Sequence, residues 1–287
     1  MSTSTRAATM RASVVTAPGE ARLEQASPPK PERGEVLVRV EGCGVCASTL
    51  PLWEGRPWFA YPLDAGAPGH EAWGRVDDGT RVAFLTDRGY AEFATAAEET
   101  LVPLPPKLDG VPFPGEALAC AVNAVRRADV RPGQRVVVVG VGFLGSAIAQ
   151  LCEYAGAEVV AVRRTTAGEV APGELVFECA GTQAALDRAS ALVATGGRLV
   201  IAGYHQDGPR TIDLQSWNWR GIDVINAHER DPAVVVDGIR EAARLAAAGR
   251  LDVERLVTHR FPLERLGDAF EAARTRPPGF VKAWVAP

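Results

Sequence analysis

The chain has 287 residues, 47% of them apolar and 23% charged, and a formal net charge of −4 at pH 7. That length carries one large or two moderate domains and buries about 75% of the unfolded surface, with the composition of an ordinary soluble protein. The acidic balance, with no Lys/Arg cluster, argues against nucleic-acid or anionic-membrane partners, and no apolar run approaches the ~18 residues of a membrane span.

The first residues, MSTSTRAATMRAS, hold an arginine but no hydrophobic segment, so they read as a short disordered tail and not as a secretory signal. A cytoplasmic location is expected. Five cysteines, an odd number, then argue for metal ligation or burial over a disulfide framework.

The part that follows reads as β. Short strands are expected at 13–16, 21–24 and 36–41, separated by Pro/Gly turns such as SPPKPERGE. A loop over 42–51 carries two cysteines, and residues 53–68, rich in aromatics, Gly and Pro, are too irregular for a helix. Further strands are expected at 72–76, 81–85, 90–94 and 101–103. Over 114–128 the pattern turns helical, with Leu118, Val122 and Val125 near one face.

Residues 135–145 then read RVVVVGVGFLG. Four consecutive valines fit a strand buried on both faces. Gly140, Gly142 and Gly145 follow at G-x-G-x-x-G spacing, and residues 146–154 then have helical composition. Strand, glycine turn and helix N-terminus, in that order, form a dinucleotide fingerprint. The glycines make the turn, let backbone approach a pyrophosphate and let helix and strand pack closely, while the helix N-terminus favours phosphate charge. The bland alternative is a glycine-rich turn with no ligand.

The βα alternation continues with strands at 158–162 and 174–179, a helix over 184–193 ending at Gly196-Gly197, and strands at 198–202 and 222–225. Asp231 and Pro232 open a helix that Gly249 stops. The tail, 259–285, reads as strand, helix (263–274) and last strand (280–285). The cofactor is expected on Gly140, Gly142, Phe143, Leu144 and Gly145, then on Arg163 and Arg164 after the second strand, and on Ala180, Gly203 and Ile225 near the carboxyl ends of later strands. Val162 is followed by Arg163-Arg164-Thr165-Thr166, with no acid before Glu169. Guanidinium forks and hydroxyls suit a 2′-phosphate, so NADP(H) is favoured over NAD(H).

The β-rich part carries GVCAS at 44–48, PGHE at 68–71 and Cys120 within LACA. Together with the fingerprint, these motifs make the chain resemble the zinc-dependent medium-chain dehydrogenase/reductase superfamily, alcohol dehydrogenase type, along nearly its whole length. The resemblance implies an α/β protein: a GroES-like catalytic domain (1–121 with 258–287) and a shortened Rossmann domain (122–257). It implies that Cys46, His70 and Cys120 hold one catalytic zinc, the Cys₂His set with an open position known for alcohol dehydrogenase. That zinc activates a substrate oxygen for hydride exchange between an alcohol and an aldehyde or ketone. Ser48 matches the family's hydroxyl on that oxygen, and Glu71 its zinc-adjacent carboxylate, with Lys282 as basic partner. Dimers or tetramers are common in the superfamily. Cys43, Cys152 and Cys179 read as packing residues.

Three departures stand out. The lobe that holds a structural zinc in many members is absent between Glu71 and Tyr90, so a single zinc is expected. Pro51 stands where a proton-shuttling histidine is common; His205 and His228 are candidates for that task or solvated loop residues, and His259 is structural. Only eleven residues, 163–173, separate two strands, too few for a full α/β crossover, so the sheet should be one strand narrower on the adenosine side. Trp53, Trp58, Phe59 and Tyr61 either wall an apolar substrate cleft or stabilise their own loop. Trp217 and Trp219 face either the cleft or a subunit contact. A zinc-free quinone or enoyl reductase and a degenerate, non-redox nucleotide-binding member are the alternatives.

Overall fold

The computed structural model describes residues 9–287, and the tail expected before the first strand falls on residues 1–8, outside them. In chain order the first part holds β1 (Met10–Ala17), β2 (Glu20–Ala26), β3 (Glu35–Gly44), α1 (Leu50–Trp53), β4 (Glu71–Arg75), β5 (Arg81–Phe84), β6 (Phe93–Ala97) and β7 (Val102–Pro103). Then come α2 (Gly115–Ala128), β8 (Arg135–Val139), α3 (Phe143–Tyr154), β9 (Glu158–Val162), β10 (Gly173–Glu178), α4 (Gln183–Leu192), β11 (Val193–Ile201), α5 (Leu214–Arg220), β12 (Asp223–Asn226) and α6 (Pro232–Ala247). The chain closes with β13 (His259–Pro262), α7 (Leu266–Thr275) and β14 (Ala283–Ala286). Two units result: residues up to Glu116 with Val253–Pro287, and Ala117–Asp252. No helix among the described residues is long and apolar enough to cross a membrane.

In the first unit β3 is the organising strand. Its first half pairs with β6, its second half with β4, and its last residues with β14. The register shifts between Val40 and Gly42, and a Cβ on Gly42 would lie 2.3 Å from the Trp73 ring, so the bulge needs glycine there. Val38, Val40, Phe84, Tyr90, Leu263, Phe270 and Val285 fill the core beneath, each worth about 1.5–3 kcal/mol on full burial. The strand expected at 90–94 lies instead at Phe93–Ala97, because Tyr90 and Ala91 are spent on β1, through Ser13 N–H to Tyr90 O (2.9 Å) and an Ala12–Ala91 bridge. Arg81 ties down the segment leading to α2: it donates to Glu41 (2.6 Å), to Val111 O (2.7 Å) and to Leu108 O.

The second unit is a parallel sheet in the order β12-β11-β10-β8-β9. Val136 to Val138 are fully buried and Val139 nearly so, as a strand covered on both faces must be. The chain reverses direction across the sheet at β8, between β9 and β10, which is where open α/β sheets bind ligands at their carboxyl edge. Residues 163–172 connect β9 to β10 without helix or strand. The sheet therefore has five strands and β9 is its edge, narrower on the side the sequence predicts. The helix expected to end at Gly196-Gly197 stops at Leu192, and β11 runs through both glycines. A Cβ on Gly197 would come within 2.9 Å of the Ala194 and Glu174 carbonyl oxygens, and Gly196 sits at φ +71°, so here glycine serves an irregular strand and not a helix end.

Candidate metal and nucleotide sites

Three strands of the first unit meet where β3 ends. Gly44 pairs with Glu71 of β4 and with Trp284 of β14, and Val45 N–H donates to Ala283 O at 2.9 Å. This junction projects Cys46 from one strand end and His70 from the start of another. Ser48 Oγ donates to Cys46 Sγ at 3.1 Å, and Thr49 Oγ1 to Cys46 O at 2.7 Å, so the loop folds around its own thiol. His70 Nδ1 lies 3.0 Å from Pro68 O. A carbonyl only accepts, so Nδ1 carries a proton and Nε2 is the atom that would lose its proton to bind a metal. Ligand atoms of Cys46, His70 and Glu71 all lie within 4.8 Å of one another.

Glu71 is fully buried beside Lys282. Lys282 Nζ donates to Glu71 Oε1 at 2.8 Å and to Val45 O at 3.3 Å. Glu71 Oε2 is equally close to Nζ but out of hydrogen-bond alignment. Burial works to lower the Lys282 pKa, yet the charges of Glu71 and Cys46 outweigh it and hold it raised. Gly44 makes the pair fit, since a Cβ there would stand 1.9 Å from Glu71 Oε2. For His70, burial also pushes down, but Cys46, Glu71 and Glu116 carry it up to about 10. Glu116, in the first turn of α2, was not among the sequence candidates. Cys120 lies one turn further along the same helix, exposed and in the second unit. Cys43 is buried, with its thiol pKa pushed well up by burial, and burial raises Cys152 to about 12. Both are packing residues.

A thiol, an imidazole of fixed tautomer and nearby carboxylates form a donor set that fits zinc.

In the second unit Gly140 turns at φ +95°, and a Cβ on Gly145 would lie 2.0 Å from Gly140 O. That contact makes glycine obligatory where α3 packs on the turn. Gly142 precedes α3, and Phe143 and Leu144 open it. Arg163 reaches back over the turn, Nη1 to Val141 O at 3.4 Å, while Thr166 Oγ1 accepts from its backbone N–H at 2.8 Å. Arg164 is exposed beside it. Ala180 follows β10 and Gly203 follows β11, but their N–H groups already donate to Glu178, at 2.8 Å each. Ile225 sits in the edge strand β12, opposite Val200.

Pro51 is buried in α1. His205 is not a solvated loop residue: it lies between Glu178 and Arg210. His228 Nε2 donates to Gly203 O at 3.3 Å, and His259 packs by Phe280. Trp53 stacks on Phe270 at 4.9 Å and donates to Glu271, Tyr61 donates to Leu52 O, and Phe59 packs on the core. Three of the four aromatics thus hold their own unit together, and only Trp58 is exposed. Trp217 is a core residue that donates to Ser190 Oγ, whereas Trp219 is 88% exposed.

Residues 154–277 match the family model described as zinc-binding dehydrogenase. Sorbitol dehydrogenase of Gallus gallus is 29% identical, over 91% of this chain and 92% of that protein. Over most of its length the chain is similar to zinc-type members of the medium-chain dehydrogenase/reductase superfamily. Its structure superposes on two members of that group. A thermostable alcohol dehydrogenase from Pyrobaculum aerophilum gives a TM-score of 0.82 at 25% identity, covering 97% of this chain and 100% of the other. A zinc-binding dehydrogenase from Sinorhizobium meliloti 1021, bound to NADP, gives 0.82 at 23% identity, over 98% and 100%. This dehydrogenase is accordingly an oxidoreductase of the alcohol dehydrogenase type, with GroES-like and Rossmann units.

Proposed function

We propose that this oxidoreductase moves a hydride between NADP(H) and an alcohol or its aldehyde or ketone, with one zinc per chain. The observation that carries the reading is the convergence of Cys46 and His70 at the three-strand junction, with Glu71 within 4.8 Å. Cys46 and His70 would hold the zinc. The third ligand would come from the start of α2: Cys120, which the resemblance implies, or Glu116, whose charge acts on His70. When bound, zinc supplies a Lewis acid that polarises a substrate oxygen and acidifies its proton. Ser48, its hydroxyl on the Cys46 sulfur, is the group to hold that proton. Pro51 has no proton to pass, so the proton leaves to water. Lys282 neutralises Glu71, which keeps the charge behind the donors from growing as they ionise.

On the nucleotide side, the Gly140–Gly145 turn takes the pyrophosphate, and Arg163 with Arg164 takes the 2′-phosphate. The open edge at β9 leaves the adenosine side shallow. Trp53, Phe59 and Tyr61 are spent on packing, so an apolar substrate is argued by Trp58 alone, and the likeness to sorbitol dehydrogenase puts polyols in the test panel. Exposed Ile212, Leu214, Trp219 and Val224 support a homo-oligomer formed through the second unit.

A cofactor-oxidation screen tests this reading: NADPH and NADH against aldehydes, ketones and ketoses. Consumption of NADPH with a carbonyl, at higher kcat/KM than NADH, is expected. Turnover of quinones or enones alone, indifferent to metal, would favour the zinc-free reductase. No turnover and no cofactor binding would remove the dehydrogenase reading.

A further inference from the structure

Glu178 ends β10 fully buried, and neither the metal donors nor the glycine turn uses it. Its Oε1 accepts from the N–H groups of Ala180 and Gly181, both at 2.8 Å, and its Oε2 lies 2.9 Å from His205 Nε2. Its backbone carbonyl accepts from Ala202 N–H at 2.9 Å and Gly203 N–H at 2.8 Å. One residue therefore ties the turn after β10 to the turn after β11. Beyond the ring, Arg210 Nε donates to His205 Nδ1 at 2.8 Å. A ring nitrogen that accepts from a guanidinium carries no proton, so Nε2–H is the one that donates to Glu178. A neutral imidazole is thus held between a permanent cation and a buried carboxylate. Arg210 closes the loop: it donates to Gly181 O at 2.9 Å and is itself held by Asp207.

The turns so joined touch one another. A Cβ on Gly203 would lie 2.4 Å from Gly181 N, one on Gly181 2.4 Å from Tyr204 O, and one on Gly140 2.9 Å from Ala180 Cβ. The phosphate turn and the two later turns therefore form one contiguous surface at the carboxyl ends of β8, β10 and β11, at the switch point of the sheet. Because the N–H groups of Ala180, Gly181 and Gly203 are taken by Glu178, a ligand meets a fixed shape here and not free donors.

We propose that Glu178, His205 and Arg210 are positioning residues for the nicotinamide half of the cofactor: a latch that holds the 179–181 and 203–205 turns as its platform. The inference rests on the dinucleotide reading above. The latch does not bear on the adenosine side, which lies past Arg163, and that separation supplies the test.

Fluorescence titration with NADPH is compared with binding of 2′,5′-ADP, which lacks the nicotinamide; NADH and 5′-AMP serve in the same way if the chain prefers them. His205→Ala is expected to weaken NADPH binding about tenfold, the weight of one charged hydrogen bond, and to leave 2′,5′-ADP binding unchanged. His205→Gln, which keeps an N–H for Glu178, should restore most of the loss. Arg210→Gln repeats the measurement at the outer end of the latch if His205→Ala does not fold. Unchanged NADPH affinity, or equal losses for both ligands, overturns the proposal. A wild-type chain that binds neither NADPH nor NADH would remove the dinucleotide reading itself, a distinct result, and the proposal with it.

Discussion

Lys282 shows how much a single side chain carries here. It is the cation facing a fully buried carboxylate, and removing one partner of such a pair costs about 3–5 kcal/mol because the other charge is stranded. Lys282→Met should lose that much in denaturant unfolding, and adding Glu71→Gln should recover most of it. Equal destabilisation by the single and double variants would show the two groups to be uncoupled. Glu41 gives a pH signature. Burial pushes its carboxyl up, but Arg81 and Arg75 pull it below its usual range. A depressed folded-state pKa adds stability above the unfolded value of ~4.3 that is lost as pH falls through the folded one. The Tm difference between wild type and Glu41→Gln should therefore be present near neutrality and shrink in acid; a difference that grows in acid would contradict the assignment. The third donor is decided by zinc content: metal lost in Cys120→Ala and kept in Glu116→Ala assigns Cys120, and the reverse result assigns Glu116. Cys46 and His70 were legible because each sits in a short motif. The charge of Glu116 near His70 was not, since a lone glutamate opening a helix reads as a favourable charge at the dipole, and Glu178 in FECAG was equally silent about the loops it binds.

At the level of elements, the sequence showed what repeats locally and missed what depends on neighbours. The valine run and its glycines announced β8 and α3. The shift of β6 to 93–97 and the early end of α4 did not show, because a contact with β1 moves the first and a glycine-bearing irregularity in β11 sets the second. The short link after β9 was legible by length alone: ten residues, 163–172, cannot hold a helix and a strand. Its consequence is testable. On the proposed NADP(H) reading, Arg163 and Arg164 carry the phosphate preference. The Arg163→Ala/Arg164→Ala double variant should lower kcat/KM for NADPH by about tenfold or more, the loss of at least one charge-assisted hydrogen bond, and change NADH little. A parallel fall with both cofactors would place the arginines in a structural role.

The whole molecule divides its chemistry between two units. The β-rich unit holds Cys46, His70, Glu71 and Lys282 on a junction of three strands, and the parallel unit holds the glycine turn and the Glu178 latch. The likeness to zinc-type dehydrogenases rests on motif order along the chain and on the match over most of its length. What the protein acts on is not written in that order, because the aromatic loop that suggested an apolar cleft is mostly core. The central claim is that the Cys46–His70 site is a zinc site that redox turnover requires. It is tested most directly by metal analysis of the purified protein beside NADPH consumption, in wild type and in Cys46→Ala. One zinc per chain and carbonyl-dependent NADPH oxidation are expected in the wild type, both abolished by the substitution. NADPH oxidation that survives in metal-free Cys46→Ala would contradict it.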